Sequence, residues 1–259
     1  MTESMNTQQQ KSFKILLVGD DCTDVYKYGS VDRISPEAPV PVFVPKYDIV
    51  KDGMAGNVRK NLEALGCDVK FLHGESSTKT RLIDTRSKQQ IVRIDKDIKS
   101  APITIEIPLL EYDAIVISDY NKGTVSYELI KELRCNFSGP IFVDTKKTDL
   151  ARLEGCFIKI NELEHSRATS FPTGVPSGLI VTYGELGVVY DEFAFGARTV
   201  EVADVCGAGD TFLSALTYEY LNTQNMHNAI TFAINASAIT VQHLGNYAPK
   251  LEEINGKNI

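Results

Sequence analysis

Toward its C-terminal end the chain reads Asp204-Val205-Cys206-Gly207-Ala208-Gly209-Asp210-Thr211-Phe212-Leu213-Ser214, followed by the apolar run Ala215-Leu216-Thr217-Tyr218. The stretch puts two glycines and a carboxylate at the mouth of a helix. Glycine lets the backbone turn sharply, so the amides of residues 207 to 209 and the positive helix end can surround a phosphate. Asp210 stands in the first turn, where it can take a proton from an attacking hydroxyl. Phosphoryl transfer to an alcohol needs both features. By itself Gly-x-Gly is weak, because a tight strand-to-helix turn with a first-turn acid suited to the helix dipole is written with the same letters. A dinucleotide site would want G-x-G-x-x-G after the first strand, but Lys14-Ile15-Leu16-Leu17-Val18 runs into Gly19-Asp20-Asp21. The phosphate loop G-x-x-x-x-G-K-[ST] is absent too.

Outward from this motif, short β-rich runs alternate with helical stretches, the pattern of an α/β fold with a mostly parallel sheet covered by helices. Strands are expected at 14–19, 69–73, 113–118, 140–144, 156–160, 178–182 and 186–190. Helices are expected at 55–65, closed by Gly66, and at 124–134, 207–222 and 226–244. Two segments fit poorly. Residues 31–50 hold Pro36, Pro39, Pro41 and Pro45 and read as edge strands, since proline cannot donate to a ladder. Residues 79–95 alternate around Thr85-Arg86-Ser87-Lys88 and read as a hairpin. With 259 residues, 43% of them hydrophobic, one large core is expected. The organisation is therefore a disordered polar tail over residues 1–12 and a single domain over 13–259.

The net charge of −7 argues against non-specific binding to nucleic acid or to an anionic membrane. Five cysteines without a C-x-x-C pair fit a reducing cytoplasm better than a disulfide framework or a zinc site. The four histidines show no H-E-x-x-H spacing, and no apolar run approaches a membrane span.

The stretch from Asp204 to Phe212 resembles the signature of the ribokinase (PfkB) carbohydrate kinases. Arg33-Ile34-Ser35-Pro36-Glu37-Ala38-Pro39-Val40-Pro41-Val42 is similar to heptose 7-phosphate kinases in particular. So are Asn57-Val58 with Asn61-Leu62 and Ala64-Leu65-Gly66, and Ser118-Asp119-Tyr120 with Lys122-Gly123. Those enzymes are often the first domain of a bifunctional ADP-heptose synthase. The likeness runs in order from about residue 14 to residue 248. It implies a ribokinase-like fold with a small β lid, near 31–50 and 79–95, that closes over the sugar and often pairs with the lid of a second subunit to give a homodimer. It implies Asp210 as the base, with Gly207, Ala208 and Gly209 as the anion hole. The implied reaction is transfer of the ATP γ-phosphoryl to the anomeric hydroxyl of a heptose 7-phosphate to give a 1,7-bisphosphate, with Mg2+ as cofactor and a monovalent cation as a further candidate.

On the sugar side, Asp20 and Asp24 follow the first strand, and carboxylates there can orient vicinal hydroxyls. The resemblance favours Asp24 for that contact; without it, solvated loop acids are the simpler reading of Asp20, Asp21 and Asp24. Gly53, Gly56 and Asn57 look like the family's Gly-Gly-x-x-Asn sugar loop, with Met54 standing where the second glycine is usual. Lys79, Arg81, Arg93, Lys122 and Lys146 are candidates to meet the acceptor's phosphate. An ordinary charged lid face explains the first three equally well. Lys122 and Lys146 each follow an expected strand end, and Lys146 is also counted on the nucleotide side. There, Asn161 and Glu164 resemble an Asn-x-x-Glu motif whose acid organises magnesium through water. The same spacing makes a helix capping box. Thr182, Gly184 and Gly187 look like a Thr-x-Gly-x-x-Gly turn beside the phosphates and base, and Asn235 and Gly245 match positions bordering adenine.

Two stretches are shorter than the family pattern. After Phe71-Leu72-His73-Gly74 the chain passes at once to Glu75-Ser76-Ser77-Thr78-Lys79, where the family continues through a helix and another strand. A second trim falls between Glu164 and Leu179. Both remove scaffold rather than chemical groups. The competing readings are a kinase for another sugar or a nucleoside, and an inactive kinase-derived binding protein.

Overall fold

The computed structural model describes residues 12–174 and 177–256. The expected tail lies outside these residues except for Ser12, whose hydroxyl donates to the Gly66 carbonyl at 2.9 Å.

Among the described residues, twelve strands form two sheets: β1 (Lys14–Gly19), β2 (Asp21–Ile34), β3 (Pro41–Met54), β4 (Asp68–His73), β5 (Ser77–Asp84), β6 (Gln90–Lys96), β7 (Ala114–Asp119), β8 (Ile141–Thr145), β9 (Phe157–Asn161), β10 (Leu179–Thr182), β11 (Val188–Tyr190) and β12 (Phe193–Phe195). The helices are α1 (Ala55–Ala64), α2 (Tyr127–Asn136), α3 (Glu162–Arg167), α4 (Ala208–Thr223), α5 (Met226–Thr240) and α6 (Leu251–Gly256).

The large sheet has the order β12-β11-β10-β9-β8-β7-β1-β4 and is parallel from β10 to β4. Its centre follows from composition. Ile15 to Val18, Ala114 to Ile117 and Phe142-Val143 are fully buried, as expected of strands covered on both faces. Successive side chains point to opposite faces. Ile15, Leu17, Val116 and Phe142 pack with α1, α4 and α5, whereas Leu16, Val18, Ile115 and Ile117 pack with α2. No helix among the described residues is long and apolar enough to cross a membrane.

The small sheet has the order β3-β2-β5-β6. It corrects the expected lid boundaries. The lid begins at Asp21, one residue after β1, and returns through β3 directly into α1 without a loop. Asp21 and Asp24 are therefore strand residues rather than loop acids. Alternation sorts the lid's faces by register. One row across the sheet is Lys51-Asp24-Lys79-Asp95, and the next row, on the other face, is Val50-Val25-Thr80-Ile94. Val50 and Ile94 are more than half exposed. The shortening also has a visible result: β4 is the edge of the large sheet and passes through residues 74–76 straight into β5.

Candidate active site

The first residues of α4 are the centre of the site. Gly207 caps the helix at φ 76°, a left-handed conformation that favours glycine. A Cβ there would lie 2.9 Å from Asn57 Nδ2 and 3.1 Å from Asn246 Oδ1. A Cβ on Gly209 would lie 2.9 Å from Lys159 Nζ. The Ala208 amide already reaches the Val205 carbonyl at 3.3 Å. The amides of Gly207 and Gly209 are thus the ones left for an anion.

Asp210 is buried with both carboxylate oxygens held. Asn57 Nδ2 donates to Oδ2 at 2.7 Å and the Tyr120 hydroxyl donates to Oδ1 at 3.0 Å. Burial pushes its pKa up to about 6; the Asn57 bond opposes that, the Asp144 carboxylate adds to it, and Lys159 and Tyr120 oppose it. A carboxyl poised there is ionised at neutral pH yet basic enough to accept a proton. Lys159, on β9, is buried and pairs with Asp144 on β8 at 2.7 Å. Burial works against its ammonium, but Asp144, with Glu164 and Asp210 beyond it, holds the pKa above the usual lysine value. The site therefore keeps a permanent cation beside the Gly209 turn.

The sugar-side candidates divide. Asp24 accepts from Arg81 Nη1 at 2.5 Å, with both side chains largely buried. Gly53 leaves room for this carboxylate, since a Cβ there would come within 2.3 Å of Asp24 Oδ2. Gly56 packs against Asp52 and Asp21 in the same way. Lys79 faces Asp24 across β2 and β5. Asp20 is turned elsewhere: its carboxylate accepts the backbone amides of Tyr120, Lys122 and Thr124 at 2.9, 2.9 and 3.2 Å. It clamps the loop after β7, and the loop carries Tyr120 to Asp210. Lys122 Nζ pairs with Asp97 at 2.7 Å, and Arg93 pairs with Asp95 on its own strand.

Of the nucleotide-side candidates, Thr182, Gly184 and Gly187 line a cavity of about 780 Å³, and Lys146, Asn161, Glu164, Asn235 and Gly245 do not. Ala208 and Gly209 line it too, together with Leu186, Val202 and Val205, large apolar residues that are mostly exposed. A flat apolar ring with a charged tail suits such a wall. Asn235 does not line it; Ile234, Ser237 and Ala238 of α5 do. Gly245 also lies outside it: its amide donates to Asp204 Oδ2 at 2.9 Å, and a Cβ there would lie 3.3 Å from Lys51 Nζ. Asn161 and Glu164 form the capping box of α3, and the remaining Glu164 oxygen is held by Lys146. Lys146 in turn lies over the Tyr120 ring at 5.2 Å.

Four contributors escaped the sequence reading. Lys159 had a signal, being the one charge in Phe157-Ile158-Lys159-Ile160, and Tyr120 was noticed only as part of a motif. Asp144 was read only as the end of a strand. Lys51 joins Asp24 and Lys79 through register alone, and with Arg81 it brackets the Tyr26 ring at 5.7 and 5.1 Å.

With this geometry in place, comparison with known proteins is decisive. Residues 49–253 match the model of the pfkB family carbohydrate kinases. The chain belongs to that family. One curated relative, the bifunctional protein HldE of a Nitratiruptor species, is 33% identical over 299 residues, covering 93% of this chain and 64% of that protein. The HldE protein of Helicobacter pylori (strain J99) is 31% identical over 303 residues, with 93% and 65% covered. The chain thus spans slightly less than two thirds of these relatives. The alignments are longer than its 259 residues, in keeping with the shortened segments. The fold is that of ribokinase from Thermotoga maritima, with a TM-score of 0.70 at 18% identity, covering 94% of this chain and 98% of that one. Arabidopsis thaliana ribokinase complexed with ribose and ATP gives 0.68 at 14% identity, with 95% and 98% covered.

Proposed function

We propose that this pfkB chain is an ATP-dependent kinase that phosphorylates the anomeric hydroxyl of a heptose 7-phosphate. The observation that carries the kinase reading is Asp210, a buried carboxylate with a pKa of about 6, one residue beyond the Ala208-Gly209 wall of the large cavity and bonded to Asn57, which follows the lid strand β3. The acceptor hydroxyl gives its proton to Asp210. The amides of Gly207 and Gly209 and the ammonium of Lys159 meet the charge of the transferred phosphoryl. In such a loose transition state, positioning and charge neutralisation supply most of the rate. Asp24 and Asn57 orient the sugar, and Lys51, Lys79 and Arg81 are the cations for its distal phosphate. Lys122 pairs with Asp97, on which Lys79 and Arg93 also act, and so stands with the lid cations, whereas Lys146 pairs with Glu164 on the nucleotide side.

Magnesium fits this donor set in one manner. Among the described residues there is no group of three or more His, Cys, Asp or Glu built to cage a metal. A hydrated ion carried by the ATP phosphates and steadied through water by Glu164 suits such a site. Bound there, it would neutralise phosphate charge.

The heptose assignment is supported by the HldE relatives and by the run Arg33 to Val42. The test compares ADP release with heptose 7-phosphate, free heptose, fructose 6-phosphate, ribose and adenosine. Heptose 7-phosphate is expected to give the highest kcat/KM, because the distal phosphate is a strong handle realised in the transition state. Better turnover of a free sugar or adenosine would sink the heptose reading and leave the kinase reading standing.

A further inference from the structure

We infer that Tyr120 is a positioning residue for phosphoryl transfer: its hydroxyl clamps the Asp210 carboxylate opposite Asn57. The inference rests on Asp210 being the base. Three contacts hold Tyr120 itself. Its amide donates to Asp20 Oδ2 at 2.9 Å, its hydroxyl meets Asp210 at 3.0 Å, and its ring lies under Lys146, which Glu164 holds. Burial and the nearby Asp210 carboxylate push the phenol well above its ordinary pKa, so it remains a neutral donor at any working pH.

Each Asp210 oxygen spends one lone pair on a fixed donor and keeps another for the acceptor hydroxyl. The carboxylate is therefore oriented before substrate arrives. The groups acting on it come from four directions: Asn57 on α1, Tyr120 after β7, Asp144 on β8 and Lys159 on β9. Glu164 on α3 acts on Tyr120 and Lys159. Burial and Asp144 oppose ionisation, and the other three favour it. Removing the phenol hydroxyl tips this balance toward protonated Asp210, whereas a residue that only filled space would leave it unchanged.

The test is Tyr120→Phe in the full chain, with two readouts. The first is a carbon-13 titration of the Asp210 carboxyl without substrate, its signal assigned by its loss in Asp210→Asn. The midpoint is expected to rise by about one pH unit. The second is kcat against pH. Below the acid limb the variant should be about tenfold slower, and at pH about 8.5 within about twofold of wild type, with the KM for ATP unchanged. An unmoved carboxyl midpoint, or a loss of kcat equal at all pH values, overturns the inference. If no sugar is turned over, the base reading fails, and the carboxyl titration still decides whether Tyr120 governs Asp210. Should Tyr120→Phe not fold, 3-fluorotyrosine at position 120, a stronger donor, should lower the midpoint, and no movement would count against the clamp.

Discussion

The central sheet and the lid are separated by one residue of chain, Asp20, yet they are built by opposite rules. In β1, β7 and β8 nearly every side chain is buried whichever way it points, and the strands read as uninterrupted apolar runs. In the lid no strand is covered on both faces. One face carries Lys51, Asp24, Lys79 and Arg81, and the other leaves Val50 and Ile94 in the open. Burial of the first kind specifies one rigid arrangement, which is what holding Asp210 against Asn57 and Tyr120 requires. The lid's residues are chosen for what they meet rather than for the fold, so stability and chemistry should reside in the body and acceptor preference in the lid.

The sharpest separation comes from Asp210→Asn. The body's chemistry should be lost, with kcat down by about a hundred- to ten-thousand-fold, while ATP and sugar affinities stay within a few-fold. In the wild type, kcat should rise with pH through a limb near 6. The stability effect has the opposite sign. The folded pKa lies above the ordinary 3.8, so the buried charge costs stability that is absent below pH about 3.8, grows toward pH about 6 and is constant above it. Asp210→Asn should therefore be the more stable protein at pH 8, by at most about 3 kcal/mol, and lose that advantage at pH 4, as thermal melts at the two pH values would reveal. Next in size is Phe142→Ala, at a fully buried site between β8 and α4, expected to cost about 3–5 kcal/mol in denaturant unfolding. A lid change should behave otherwise. Arg81→Lys keeps the charge but not the planar guanidinium whose Nη1 meets Asp24, and should raise the acceptor KM about tenfold with the ATP KM and melting temperature almost unmoved. A matching rise in the ATP KM would break the division between the two regions. The smallest effect is Ile94→Lys on the open lid face. It should change monomer stability by no more than about 0.5 kcal/mol. If that face pairs two lids, sedimentation should find a wild-type dimer at micromolar concentration and a monomeric variant.

The same contrast explains what could be read from the sequence. The central strands and α4 were legible because a buried strand is a local apolar run and a phosphate turn is a local pattern of glycines. The lid was placed ten residues late because Asp21-Cys22-Thr23-Asp24 has the composition of a loop, and only pairing with β3 and β5 makes it a strand. Lys51 was invisible for the same reason: its row is made by register between strands far apart in sequence. Asp20 looked like a sugar ligand because its role, accepting amides from a loop a hundred residues away, leaves no local trace. Asn235 was placed at adenine on a helix apolar on most of its surface, where the spacing of residues gives no phase to say which side faces the cavity.

The seam between β3 and α1 has a mechanical consequence. Met54 sits there at φ 49°, ψ −131°, a conformation that a side chain rarely adopts and that costs on the order of 1–3 kcal/mol. It is tied across to Asp21, the first residue of β2, and Asn57 follows three residues later. The lid and Asp210 thus share one lever, with its fulcrum at a joint already under load. Force applied to the far end of β3 has no slack loop in which to dissipate, and reaches the Asn57 amide that grips Asp210.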